Sequence, residues 1–299
     1  MILYAHNSVK GRATALALKV ALVHTLLGTL WIVFSDRAAV LLGKSIEGIA
    51  SIQMAKGIAY VTLAGVFAFL LVYKLTVSVL NKERQRAEAE REVFQRLAAA
   101  AEWRDDETGT HVLRVAQVSG ILAKTMGLAP EACSHISQAA ALHDIGKIGI
   151  DDDLVRFEGI YSQEQREQMQ QHTVIGGEIL KDPKSKLMEV ARNIALRHHE
   201  RWDGKGYPGG LSGEQIPVEA RCVALADVLD ALHSSRRYKK AWAWDEAKDE
   251  IVRLSGSHFD PAVVKAFLRA EPELRQVYVW WRGHPGDLAM PSSELTEAA

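Results

Sequence analysis

The distribution of apolar residues is uneven. From Ala13 to Phe34 the chain is almost continuously apolar, interrupted by Lys19 and His24, and a second such run extends from Ile58 to Leu80, with Lys74 near its end. Each run is long enough to cross a hydrocarbon core, which takes about 20 helical residues. Neither shows the polar face of a helix lying on a soluble core. The first is too long for the apolar part of a cleaved leader and has no small-residue cleavage site after it. The pattern therefore predicts transmembrane helices at 13–34 and 58–80, a short N-terminal stretch at 1–12 and an outer segment at 35–57. Lys19 lies near a span end, where a long side chain can snorkel. His24 lies nearer the middle, and packing against the partner helix is the preferred account over a sensing role.

After Leu80 the pattern changes. Residues 81–104 are charged, Ala-rich and free of Gly and Pro, which predicts a helix. Leu80, Ala87, Phe94 and Ala101 recur at heptad spacing, so the segment reads either as one seam of a short coiled coil joining two protomers or as a solvated connector. Beyond it, apolar residues recur at helical spacing in Val112–Leu122, Ile136–Leu142, Ser162–Leu180, Leu187–Arg197, Ala220–Leu232 and Asp245–Leu254. Asp260-Pro261 opens a further helix to about Ala270. No strand-like alternation of useful length occurs, and Asp203–Gly213 is a Gly-rich loop. The expected architecture is all-α: two spans, a connector at 81–91, a helical domain at 92–270 and a C-terminal tail at 271–299.

Charge and cysteine content narrow the reading. The formal charge of the 299 residues is −1, so no basic field argues for a nucleic acid polymer as partner. Cys133 and Cys222 form no CxxC pair and read as small buried hydrophobes. Lys82, Arg84, Arg86 and Arg91 follow the second span, which predicts that the C-terminal part and the N-terminus both face the cytoplasm.

Histidines and carboxylates recur beside apolar helical runs: Glu107 and His111, then His143-Asp144, His172, His198-His199, and Asp227 with Asp230 in ALADVLDAL. Singly, each reads as a capped or surface group. Together they suit more than one metal ion, since ionised or polar groups on buried faces are costly unless paired or ligated. Imidazole and carboxylate without thiolate favour iron, manganese or zinc in an oxygen/nitrogen site. Three carboxylates leave two or three divalent cations net positive, which suits an anionic substrate such as a phosphodiester. A metal pair supplies hydroxide near neutral pH and clamps phosphoryl oxygens. Asp144 is the candidate bridging carboxylate, and Lys147, one turn on if the helix continues, is placed to bind the scissile phosphate or the nucleophilic water.

The motifs ETGTH (Glu107–His111), HDIGK (His143–Lys147), His172, HHERWDGKGYP (His198–Pro208), ADVLDAL (Ala226–Leu232), RRYKKAW (Arg236–Trp242) and HFDP (His258–Pro261) together resemble the HD-GYP family of cyclic di-GMP phosphodiesterases, a branch of the HD metal-dependent phosphohydrolases, over roughly residues 92–270. The resemblance implies an all-helical fold, two or three divalent metals, often iron or manganese, and hydrolysis of cyclic di-GMP to pGpG and onward to GMP. It implies that His111, His143, Asp144 and Asp227 form the shared metal quartet, that His172, His198 and His199 complete the second metal and contribute to a third, and that Glu107 accompanies a third metal. It makes Arg236 and Lys239 phosphate-contacting bases. Asp151, Arg156, Glu158 and Ile160 replace a segment that is commonly Pro-rich in the family, Thr173 replaces a Pro after His172, and Arg237 sits where Pro often follows the Arg. These departures bear on the loop over the site. The resulting expectation is a phosphodiesterase anchored in a bacterial inner membrane by two spans, with a homodimer through the connector. A non-catalytic cyclic-dinucleotide receptor and an HD hydrolase of another cyclic dinucleotide are the alternatives.

Overall fold

The computed structural model of the chain describes residues 2–42, 45–102, 110–234 and 240–284. Glu107, Arg236, Lys239 and the tail beyond His284 lie outside the described residues, as do the side chains of Lys19, Ala87 and Ala101. Two compact units divide the chain, Met1–Arg86 and Ala87–Ala299.

Helices α1 (Ile2–Leu42) and α2 (Ile46–Glu102) hold the apolar runs. Their apolar side chains point outward, with Leu22 61 %, Phe69 67 % and Val72 61 % exposed. Polar side chains meet between them: Lys56 pairs with Asp36, Gln53 donates to Asp36 Oδ1 at 3.3 Å, and the His24 ring lies 3.4 Å from the Tyr60 hydroxyl. Two stretches, Val20–Leu41 and Ile46–Arg86, are long and apolar enough to cross a membrane. The expected outer segment at 35–57 is mostly helical. Ser45 caps the start of α2, its Oγ accepting from Gly48 N at 3.1 Å.

The second unit is a helical bundle: α3 (Thr110–Thr125), α4 (Pro130–Ala140), a 3₁₀ turn (Ile145–Gly149), α5 (Asp152–Val155), α6 (Gln163–Ile179), α7 (Lys186–Arg197), α8 (Val218–His233), α9 (Trp244–Arg253) and α10 (Pro261–Gly283). No sheet occurs among the described residues, only isolated bridges such as Asp203 with Ser212. The helix starts follow local chemistry. Ser162 and Gln165 form a reciprocal capping box, Ser185 caps α7, and Asp260 caps α10 just before Pro261. α3 packs against α4, α8 and α10, and α7 joins α4 to α6. The core holds Leu122, Leu142, Ile194, Leu225, Phe267 and Leu274, and Phe94 of α2, one of the heptad positions, packs against it.

Two helix ends differ from expectation. α4 stops at Ala140, and His143 and Asp144 sit in a turn leading into the 3₁₀ segment. α10 does not end near Ala270 but continues through Pro272 to Gly283. The proline removes one interior hydrogen bond. Burial of Leu274, Val277, Tyr278 and Trp281 at helical spacing offsets that loss, and Trp281 Nε1 donates to Gln117 Oε1 at 3.1 Å. The tail expected from residue 271 is thus, as far as Gly283, a core helix.

Candidate metal centre

Helices remote in sequence deliver the polar side chains to one place. His111 comes from the first turn of α3, Asp227 from α8, and His143 and Asp144 from the turn after α4. His172 comes from α6, and His198 and His199 from the end of α7. The 3₁₀ turn lies directly on α6, where a Cβ at Gly146 would overlap the His172 carbonyl and stand 2.5 Å from Gly176 N, so only glycine allows that approach.

Two ligand-type groups result. Asp144, His172, His198 and His199 each offer one atom within 4.8 Å of the others, and so do His111, His143 and Asp227. Asp144 faces both: its Oδ1 is 3.3 Å from His172 Nε2 and 3.6 Å from His198 Nε2, while its Oδ2 is 3.3 Å from His143 Nε2 and 2.8 Å from Lys147 Nζ. The expected one-turn spacing of Lys147 is realised by the 3₁₀ turn rather than by a continued α-helix. Seven of the eight expected ligands therefore converge, and the eighth, Glu107, lies outside the described residues.

The rings are oriented from behind. The Nδ1 atoms of His143, His172 and His198 donate to backbone carbonyls of Ala140 (2.9 Å), Met169 (2.7 Å) and Ile194 (3.0 Å). Carbonyls only accept, so each of these bonds puts a proton on Nδ1 and makes Nε2 the lone-pair atom of the neutral ring. His111 differs: its Nδ1 lies 2.7 Å from Asp230 Oδ2, and Arg114 holds that buried carboxylate through Nε at 2.6 Å and Nη2 at 2.9 Å. Asp230 was noticed in the sequence as a carboxylate on an apolar helix but given no role. The signal was there: His111 and Arg114 on one helix have the same three-residue spacing as Asp227 and Asp230 on the helix facing it.

With Nδ1 donating, the inward atoms are acceptors facing acceptors. His172 Nε2 and His198 Nε2 lie 3.5 Å apart, and the buried His143 Nε2 and Asp144 Oδ1 have no hydrogen-bond partner. Such an arrangement is costly unless a proton or a cation sits within it. Titration behaviour agrees. Burial opposes charging of His143, but the facing Asp144 and Asp227 carboxylates outweigh it and push its pKa up to about 10. Burial also opposes ionisation of Asp144, yet Lys147 and His143 hold it well below the usual carboxylate range. Burial, with neighbouring His198, lowers His172 to about 4 and holds His199 well below its ordinary value, so both are free bases at neutral pH. These residues fit divalent cations.

The groups open into a cavity of about 270 Å³ whose walls include Lys147, Val155, Tyr161, Met169 and Tyr207. Asp151 and Arg156 cap the two ends of α5, whose Val155 lines this opening, and Glu158 and Ile160 follow it in the chain. Asp151 caps that short helix, accepting from Asp153 N at 2.9 Å, and Ile160 is 93 % exposed.

Residues 79–263 match the family model of the HD domain, and the chain belongs to that family. It is 45 % identical over 190 residues to a cyclic di-GMP phosphodiesterase response regulator of Xanthomonas campestris pv. campestris, covering 64 % of this chain and 50 % of the relative. It is 46 % identical over 187 residues to a cyclic di-GMP phosphodiesterase of Thermotoga maritima, covering 62 % and 51 %. It is 41 % identical over 194 residues to 3'3'-cGAMP-specific phosphodiesterase 2 of Vibrio cholerae, covering 65 % and 37 %. The chain thus spans about half the length of the first two relatives and less of the third.

Proposed function

We propose that the chain is a metal-dependent phosphodiesterase that hydrolyses cyclic di-GMP to pGpG, and onward to GMP, at a bacterial cytoplasmic membrane. The observation that carries this reading is the convergence of seven imidazole and carboxylate side chains in two ligand-type groups, five of which line one cavity together with Lys147. His111, His143, Asp227 and Asp144 would hold one divalent cation, and Asp144, His172, His198 and His199 the other, with Glu107 adjoining a third. Iron and manganese suit this donor set. Bound cations would supply Lewis acidity at the phosphoryl oxygens and hydroxide at neutral pH.

The chain's own residues do the rest. Asp144 offers one oxygen to each group, so a single carboxylate ties the two halves together. Lys147 puts an ammonium beside that carboxylate, where a phosphate oxygen can replace part of its contact. Arg236 and Lys239, outside the described residues, are the phosphate-contacting bases that the family resemblance implies. Val155 and Met169 give one wall an apolar surface. The apolar, outward-facing α1 and α2 support anchoring by two spans, the basic residues after Leu80 support a cytoplasmic catalytic domain, and the connector supports a homodimer, which light scattering tests.

A second reading, hydrolysis of a mixed cyclic dinucleotide, draws on the similarity to a 3'3'-cGAMP-specific relative. The test loads the detergent-solubilised full chain anaerobically with Fe(II) or Mn(II) and follows cyclic di-GMP and 3'3'-cGAMP in parallel by chromatography. Conversion of cyclic di-GMP to pGpG, abolished by Asp144→Ala and by a chelator, is expected. Turnover of 3'3'-cGAMP alone selects the second reading, binding without turnover selects a receptor, and full turnover by Asp144→Ala overturns the site.

A further inference from the structure

Among the cluster histidines, His199 lacks what the others have: no hydrogen bond to its ring nitrogens occurs among the described residues. An imidazole turns readily about its second side-chain torsion unless something fixes it, and a ligand ring needs its nitrogen aimed closely. What does contact the His199 ring is Tyr207. The two rings stack with centroids 4.8 Å apart and 29° between planes, while His198 lies against His199 at 4.0 Å and His172 stands perpendicular at 5.1 Å.

The loop that carries Tyr207 is in turn held by Glu200. That carboxylate is fully buried in the helical bundle and follows His199 directly in the chain. Its Oε1 accepts from Gly209 N at 2.8 Å and from Arg197 Nη1 at 3.0 Å, and its Oε2 accepts from Leu211 N at 2.9 Å. Tyr207 N donates to the His199 carbonyl at 3.2 Å. A Cβ at Gly206 would stand 2.6 Å from Glu200 Cα, so glycine there lets the loop lie flat on the 199–201 backbone. The Gly-Tyr-Pro segment is thus folded back on the residues that carry the ligand nitrogens.

We propose that Tyr207 is the positioning residue of His199, its flat ring replacing the hydrogen bond that orients the other histidines, and that Glu200 is the carboxylate that keeps the loop and Tyr207 in place. The inference rests on the metal-centre reading above. It assigns the work to the face of the ring and not to the hydroxyl.

Mn(II) binding to the metal-stripped full chain in detergent tests it, with metal per chain by elemental analysis, affinity by titration of free Mn(II) in electron paramagnetic resonance, and far-ultraviolet circular dichroism for the fold. Tyr207→Phe is expected to bind as the parent does. Tyr207→Leu, which keeps apolar bulk but loses the flat face, is expected to weaken one site about 10- to 100-fold, the range for removing a group that orients a ligand. Glu200→Gln shifts affinity the same way. If the Leu variant loses helix, Tyr207→Met takes its place. Equal affinity for Leu and parent overturns the proposal, and so does a Phe variant as weak as Leu. A parent that takes up no metal overturns the metal centre and this inference together, whereas a metal-loaded parent matched by the Leu variant overturns this inference alone.

Discussion

In the N-terminal unit, leucines and phenylalanines such as Leu22 and Phe69 face outward, while Asp36, Lys56, His24 and Tyr60 meet between the helices. In the helical bundle the same apolar types, Leu122, Leu225 and Phe267, are fully buried, and most exposed positions are polar. Helices apolar on every side are unsuited to water, whereas an amphipathic bundle makes its own apolar interior. The units therefore differ in where their apolar side chains face, outward in the first and inward in the second. Both still collect polar groups at helix contacts, where each must find a partner. The α1–α2 pair satisfies them with an ion pair, and the bundle leaves inward-facing groups, His143 Nε2 and Asp144 Oδ1 among them, that a proton or a cation has to satisfy.

Substitutions that exchange the two environments break this comparison. The largest effect is expected in the bundle, where Leu225→Ala removes a fully buried core side chain of α8 and should cost about 2–5 kcal/mol. Denaturant unfolding of the detergent-solubilised chain, followed by circular dichroism, measures it, and a cost near zero would mean that Leu225 is not core. In the apolar run, Leu63 is 59 % exposed, and Leu63→Ala should leave unfolding nearly unchanged. Leu63→Asp instead should cost about 2.5–3.5 kcal/mol in membrane insertion, read as a fall in the membrane-extracted fraction. A water-exposed reference, Val252→Lys on α9, should be silent in both assays.

Within the bundle, Asp230→Asn removes the charge behind His111 and leaves Arg114 without its carboxylate. Metal affinity should fall about 10- to 100-fold with helix content retained, and Mn(II) titration reads it. The smallest effect concerns acid stability. Burial, with Arg201 nearby, lowers His258 from 6.5 to about 4 in the folded chain. Between pH 6.5 and 4 the unfolded chain therefore takes up a proton that the folded chain refuses, so stability falls as pH drops through that window and is unaffected above it. His258→Gln should flatten the acid side of a Tm-against-pH profile, and an unchanged profile would show that this histidine is solvated.

Much of this was legible because it depends on composition and spacing. Two long apolar runs need no partner to be recognised, and Ser162-x-x-Gln165 and Asp260-Pro261 announce helix starts through bonds made within a few residues. His143, Asp144, His172, His198, His199, His111 and Asp227 stood out as polar residues on apolar helical surroundings. The end of α4 at Ala140 did not stand out, because periodicity alone continues through Leu142. Nor did the extension of α10, since Pro272 ordinarily signals an end and only burial of Leu274, Val277, Tyr278 and the Trp280-Trp281 pair reverses that signal. Glu200 reads locally as a charged residue beginning a loop. Its burial under Gly209 and Leu211 arises only once that loop has folded back.

The sequence by itself determined most of the helical segments, which of them are apolar on every side, and which donor types the bundle carries, because these are properties of side chains and their spacing. Tertiary structure decided which donors face one another and which groups stand behind them. Asp144 came to lie between two histidine groups, Asp230 behind His111 and Tyr207 against His199 through contacts between remote segments. The directions of those contacts follow from how the helices pack, and no local pattern encodes them.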